Sequence, residues 1–301
     1  ADLLTEMVGE FPKLQGIMGR EYALDTGEDE EVAKSIAEHY LPRYAKDALP
    51  ETETGTVLSL ADKFDVITSC FLTGLIPTGS QDPYALRRQA QGIIRILEDK
   101  DLNLSLGNII ERALSNLPVK NTNTNKETIS GQIRDFFKDR LCHNYLDRGY
   151  RYDIIESVLK SVYDNSSDFS YRLEIVTKIS KSPIWKSLVT VVERTYNIGK
   201  NCTAHGKIDE NLLNEEQELR LWTLYKSEKE KILAYVKPKK YEELSLLYTH
   251  VFAEPIHHFF ENVFVNVEDE AIKNNRLILM KKINDLYVNN IANLALIVEH
   301  E

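Results

Sequence analysis

Apolar residues recur at helical spacing along nearly the whole chain. Leu60, Phe64, Ile67 and Phe71 fall at i, i+4, i+7 and i+11, which predicts a long helix with one buried stripe. Leu86, Ala90, Ile93 and Leu97 predict a second, with Arg88, Gln91 and Arg95 on its other side. Asp82-Pro83 ahead of it reads as a cap followed by a first-turn proline. Val32, Ile36 and Tyr40 predict a third helix behind the acidic run Glu28 to Glu31, with Pro42 closing it. The opening ADLLTEMVGEF reads as a helix already under way.

Residues 118–128, PVKNTNTNKET, are polar and without apolar periodicity, and they predict a domain boundary. Beyond them helices are expected over 129–147, 151–163, 171–179, 184–199 and 215–236. Tyr241, Leu244, Tyr248 and Val251 predict another that stops before Pro255. Leu279, Ile283, Leu286 and Tyr287 mark a last one within 271–298, and the VF-rich piece 263–267 reads as a turn. Strands do not alternate with helices, and no fixed-period repeat occurs. The expected fold class is all-α.

The chain has 301 residues, 13 Gly and 9 Pro, few breakers for this length, which agrees with long helices. No apolar run reaches the roughly 20 residues that span a bilayer. Cys70, Cys142 and Cys202 have neither disulfide-framework nor metal-type spacing and read as reduced thiols in a cytoplasmic protein. The net charge is −10. Residues 1–118 carry 11 Lys+Arg against 20 Asp+Glu, and the remainder 26 against 27. An acidic chain repels nucleic acid on average, so any such contact needs a concentrated basic face.

Two segments offer one. Arg87, Arg88 and Arg95 sit on the helix after Asp82-Pro83, and guanidinium groups suit phosphate. Lys273, Asn274, Asn275 and Arg276 combine amides and cations that can meet unstacked bases. Other chemistry is thin. Lys178-Ile179-Ser180-Lys181-Ser182 is similar to the nucleotide loop of class I aminoacyl-tRNA synthetases, but no His-x-Gly-His segment or sheet accompanies it. No glycine-rich phosphate loop is present. His257 and His258 are adjacent and diverge on a helix, so they do not converge on one ion. Asp62 and Asp65, at i and i+3 beside a core stripe, are expected to be partly desolvated and paired, for instance with Lys63, Arg87 or Arg88.

Four stretches together resemble one family, the β subunit of the bacterial heterotetrameric glycyl-tRNA synthetase. They are TEMVGEFPKLQGIMGREYAL (5–24), LADKFDVITSCFLTGLIPTGSQDPYALRRQAQGIIRIL (60–97), FFKDRLCHNYLDRGYRYDIIESVL (136–159) and PIHHFFENVFVNVEDEAIKNNRLILMKKINDLY (255–287). The resemblance implies a C-terminal portion of the subunit, in keeping with a chain that starts at Ala1 without Met. It implies an HD-like helical domain over 1–118, a helical connecting region over 119–184 and an anticodon-binding-like helical domain over 185–301. It also implies glycine tRNA and the synthetase α subunit as partners, with ATP and Mg used by the whole enzyme on the α subunit. No catalytic residue, metal or cofactor is then expected on this chain, and no membrane association. True HD phosphohydrolases hold a metal through a His, a His-Asp pair and a later Asp. Asp62 falls at the place of the later Asp and Asp2 near that of the paired one, but His39 is the only histidine in residues 1–118. The domain is therefore expected to bind rather than to catalyse. Tests that separate this reading from an active HD phosphohydrolase, or from a pure assembly module, are a metal and phosphatase assay and a shift with glycine tRNA. The expected RNA contacts are Arg87, Arg88, Arg95, Lys273, Asn275 and Arg276.

Overall fold

The structure, a computed structural model, describes residues 2–118, 125–200, 202 and 206–298. The tract expected to join two domains lies mostly outside them, since 119–124 are not among the described residues. All regular structure among the described residues is helical apart from one isolated bridge between Thr78 and Gln81. The all-α expectation holds. The helices are α1 (Glu6–Glu10), α2 (Ile17–Asp25), α3 (Glu30–Glu38), α4 (Glu53–Leu72), α5 (Leu86–Asp99), α6 (Leu106–Asn116) and α7 (Lys126–Asp147). They continue with α8 (Tyr152–Leu159), α9 (Ser166–Ile179), α10 (Trp185–Gly199), α11 (Glu216–Ala234), α12 (Tyr241–Asn262) and α13 (Glu270–Val288). Two compact units result: Ala1–Asn144 with Asp164–Ser167, and Tyr145–Tyr163 with Asp168–Glu301.

In the first unit α4 is central and packs on α3, α5 and α6. The stripe expected on it is buried: Leu60, Phe64, Ile67 and Phe71 all face the core, as do Leu86, Ala90, Ile93 and Leu97 of α5. Aromatic rings extend this core to α7, with Phe64 and Phe137 centroids 5.8 Å apart and Phe71 and Phe136 5.3 Å apart. In the second unit α10 packs on α12 and α13, and α11 on α12 and α13. Its centre is wired by polar groups inside an apolar shell. Tyr248 Oη donates to Ile283 O at 3.2 Å, Ser245 Oγ and Tyr287 Oη lie 3.1 Å apart, and Asn284 Nδ2 donates to Val192 O at 3.0 Å. Burial pushes both tyrosine hydroxyls far above their usual range.

Several boundaries differ from the sequence expectation. The opening segment is not a continuing helix. Only Glu6–Glu10 is helical, capped by Thr5, whose side chain accepts from Val8 N. On α3, Val32 is 44% exposed, because the helix turns Glu38 inward. The Glu38 carboxylate accepts from Glu51 N, Thr52 N and Thr52 Oγ1, and so fixes the start of α4. Pro83 is not in the first turn of α5, which begins at Leu86. Asp82 caps it from farther back, accepting from Leu86 N at 2.7 Å and Arg87 N at 3.1 Å. Pro255 does not end α12, which runs on to Asn262. The proline removes one backbone donor, but Pro255 is itself buried in a run with Phe252, Ile256 and Phe259, and that burial outweighs the lost bond. The last helix stops at Val288, after which Asn293 N donates to Ser157 O at 2.7 Å and draws the chain away. Residues 263–267 carry no strand.

Candidate nucleic-acid interface

Arg87 and Arg88 occupy the first turn of α5, which follows the loop over residues 73–85. The loop is shaped by left-handed backbone at Gly74, Gly79 and Ala85. Glycine carries no steric penalty there, whereas Ala85, at φ 55, is held by its own N–H donating to Asp82 O at 3.1 Å and by the Asp82 carboxylate capping the two residues after it. Arg87 Nη2 donates to Gly79 O at 2.8 Å, so the loop itself aims this guanidinium. Arg88 is exposed. A residue the sequence reading passed over stands beside them. Arg140, on α7, lies over the Phe136 ring at 5.8 Å, and its Nε is buried with no hydrogen-bond partner. Burial, then the positive charge of Arg87, hold its pKa below the usual guanidinium value, with Asp139 and Asp82 acting the other way. Arg140 is thus a partly desolvated cation that feels the charge of Arg87, with Asp82 and Asp139 in the same field. No short-range sequence signal joins the two arginines, because they are separated by 53 positions with α6 between their helices.

The other expected contacts are employed within the protein. Arg95 donates to Tyr44 O at 3.2 Å and Asp47 O at 2.9 Å, which ties α5 to the chain after α3. Asn275 is buried; its Oδ1 accepts from Asp209 N at 2.9 Å and its Nδ2 donates to Asp209 O at 3.0 Å. Arg276, 5% exposed, donates through Nε to Glu218 Oε1 at 2.5 Å and through Nη1 to Phe264 O at 2.7 Å. Glu218 is fully buried, and its other oxygen accepts from Asn214 N and Glu215 N at 2.8 Å, closing the N-terminus of α11. Lys273 pairs with Glu270 at 3.0 Å on the surface. The segment 273–276 thus staples α13 to α11 and to the connection before it. Of the expected contacts, Arg88 is exposed and Arg87 is half-buried with one bond to the loop.

The HD-like centre also departs from expectation. Asp62 and Asp65 are exposed rather than desolvated, and no ion pair closes on either among the described residues. The buried residue is Lys63, 1% exposed, which donates to Ser59 Oγ at 2.9 Å and to His39 O at 3.3 Å. Burial pushes its ammonium down to about 8, against a smaller opposing pull from Asp62. The His39 ring, half-buried beside Tyr40, is pushed down by burial, which outweighs its bond to Ile36 O. Asp2 is buried and accepts from Gly16 N at 2.7 Å, Gly19 N at 2.8 Å and Tyr40 Oη at 3.0 Å. Burial works to raise its pKa, but the bonds from Gly19, Gly16 and Tyr40 carry it lower. Among the described residues no group of three or more His, Cys, Asp or Glu side chains is placed to hold a metal ion. Lys178, in the lysine-serine run, pairs with Glu242 at 2.6 Å. No helix among the described residues is long and apolar enough to cross a membrane.

Comparison with known proteins supplies the family. The profile described as Glycyl-tRNA synthetase beta subunit matches residues 1–160, more than half of the chain, and the chain belongs to that family. It is similar to the glycine–tRNA ligase beta subunit of Clostridioides difficile, at 42% identity over 95% of this chain and 41% of that protein. The beta subunit of Desulforamulus reducens is 42% identical over 99% of this chain and 43% of its own length. That of Halothermothrix orenii is 43% identical over 98% and 43%. The chain spans about two fifths of the length of these relatives.

Proposed function

We propose that this chain is the tRNA-handling portion of a glycine–tRNA ligase β subunit. It supports ATP-dependent attachment of glycine to its tRNA by an α/β enzyme of the cytoplasm. The observation that carries the reading is the similarity to named beta subunits along 95% or more of the chain, which takes in both compact units. In this reading the first unit holds the HD-like domain, the anticodon-binding-like domain lies in the second, and adenylation with its ATP and Mg belongs to the α subunit. Arg87 and Arg88, joined by Arg140, take phosphates of the RNA backbone. Arg95, Asn275 and Arg276 support the fold beneath the contacting surfaces, and Lys273 lies at their edge.

The test uses the full α/β enzyme and glycine tRNA, with binding measured across salt concentration for the parent, Arg87→Gln, Arg88→Gln and Arg140→Gln. Each lost phosphate contact is expected to weaken binding roughly fivefold at low salt. Each should also flatten the slope of log affinity against log salt by about one. A parent that does not bind tRNA, or three variants that match it at every salt concentration, would overturn the reading.

A further inference from the structure

A second cationic cleft lies in the second unit, between α10 and α12. It measures about 240 Å³ and is lined by Lys186, Ser187, Thr190, Arg194, Ile256 and His257 among others. Lys186, Thr190 and Arg194 follow one another at i, i+4 and i+8 along one side of α10. Three further clefts in the described residues carry carboxylates in their walls: Glu111 and Glu127, Asp62 and Asp65, and Asp285. This one carries none. Other surface cations of this acidic chain are tied to a neighbouring acid, as Lys178 is to Glu242 and Arg220 to Glu254. Among the described residues Lys186 has no such partner.

Arg194 is held by other means. Its guanidinium lies over the Phe260 ring at 5.9 Å, and Nη1 stands 3.5 Å from Nδ1 of His257. Nε2 of the same ring faces Glu261 Oε1 at 3.2 Å. Glu261 therefore orients the histidine, and the histidine orients Arg194, without a carboxylate neutralising the guanidinium. The Thr190 hydroxyl donates to Lys186 O at 2.8 Å and fixes the first turns of α10. The positive end of the α10 dipole adds to the field of Lys186.

We infer that this cleft is an anion seat for one or two phosphodiesters of RNA, with Lys186 and Arg194 as the contacting cations and His257 as a positioning residue. The inference rests on the tRNA-handling reading and adds to it a contact surface in the second unit that the segment 273–276 does not supply. RNA is favoured over an acidic protein face because the walls join two cations to a short apolar floor, and phosphodiesters need charge and little shape.

The experiment compares glycine tRNA binding by the full α/β enzyme carrying Lys186→Gln, Arg194→Gln, the double change, Arg194→Lys or Arg88→Gln, at several salt concentrations. The double variant is expected to bind tenfold or more weakly at low salt, with a salt slope reduced by about two. Arg194→Lys, which keeps the charge, should keep the parent's salt slope and bind more tightly than Arg194→Gln. Melting curves that match the parent show that the fold is intact, and a variant that melts early is replaced by Lys186→Met or Arg194→Met read the same way. If the double variant binds tRNA like the parent while Arg88→Gln weakens it, the cleft inference falls and the reading of the first unit stands. If the parent does not bind tRNA, both fall. Inorganic phosphate alone is the second probe. Tight binding of it that the double variant loses, with tRNA binding unchanged, would make the cleft a free-phosphate site and overturn the assignment to RNA.

Discussion

Lys63 carries a charge that the fold works against. Its side chain is 1% exposed, its hydrogen bonds go to one hydroxyl and one carbonyl, and its pKa is about 8 in place of 10.5. The unfolded chain therefore binds more protons between pH 8 and 10.5, so stability rises with pH through that window and is lowest below it. At pH 7 the buried charge costs the folded state roughly 3 kcal/mol, and raising the pH to 9 recovers about 1.3 kcal/mol. Lys63→Met keeps the length and removes the charge. It leaves His39 O and Ser59 Oγ without that donor, a loss of about 1 kcal/mol. The net expectation at pH 7 is a gain of roughly 1–2 kcal/mol, together with disappearance of the 1.3 kcal/mol rise between pH 7 and 9. Both tryptophans, Trp185 and Trp222, lie in the second unit, so fluorescence would miss this event. Hydrogen exchange of the α4 amides at pH 7 and 9 reads the local stability directly. Equal pH dependence in parent and variant, or a variant less stable by more than about 1 kcal/mol at pH 7, would refute the reasoning.

Two further substitutions probe the frame. Arg276→Met leaves Glu218 buried without its cation and should destabilise the second unit by about 3–5 kcal/mol, read by tryptophan-monitored denaturant melts. Unchanged melts would mean that the pair is not the staple described. Gly19→Ala places a methyl 2.6 Å from Ile36 Cγ2 and 2.9 Å from Asp2 Cβ, so a loss of roughly 1–3 kcal/mol is expected in melts of the first unit followed by circular dichroism. A variant as stable as the parent would show that the Asp2 seat is loose.

The periodic stripes of α4 and α5 were legible because a helix repeats every 3.6 residues, and a run such as Leu60, Phe64, Ile67 and Phe71 has only one way to bury its apolar side. The family was legible too, since long segments carry it. The polar residues were harder to read. Asp62 and Lys63 are neighbours in sequence, yet a turn of about 100° leaves the acid in solvent and drives the lysine into the core. Nothing in the local pattern says which of the two goes in. Pro255 reads as a stop until the burial of Phe252, Ile256 and Phe259 on the same helix is known.

The sequence by itself determined that the chain is helical, which faces of its strongest helices are buried, and to which family it belongs. These follow from local periodicity and from contiguous residues. Only the tertiary structure decided which cations are free to meet an anion. A side chain's partner is chosen by distance in space, where Arg276 meets Glu218 across 58 positions, Arg140 comes beside Arg87 across 53, and Arg194 meets His257 across 63. Whether a guanidinium is a structural staple or a binding group depends on that partner, and no spacing along the chain records it.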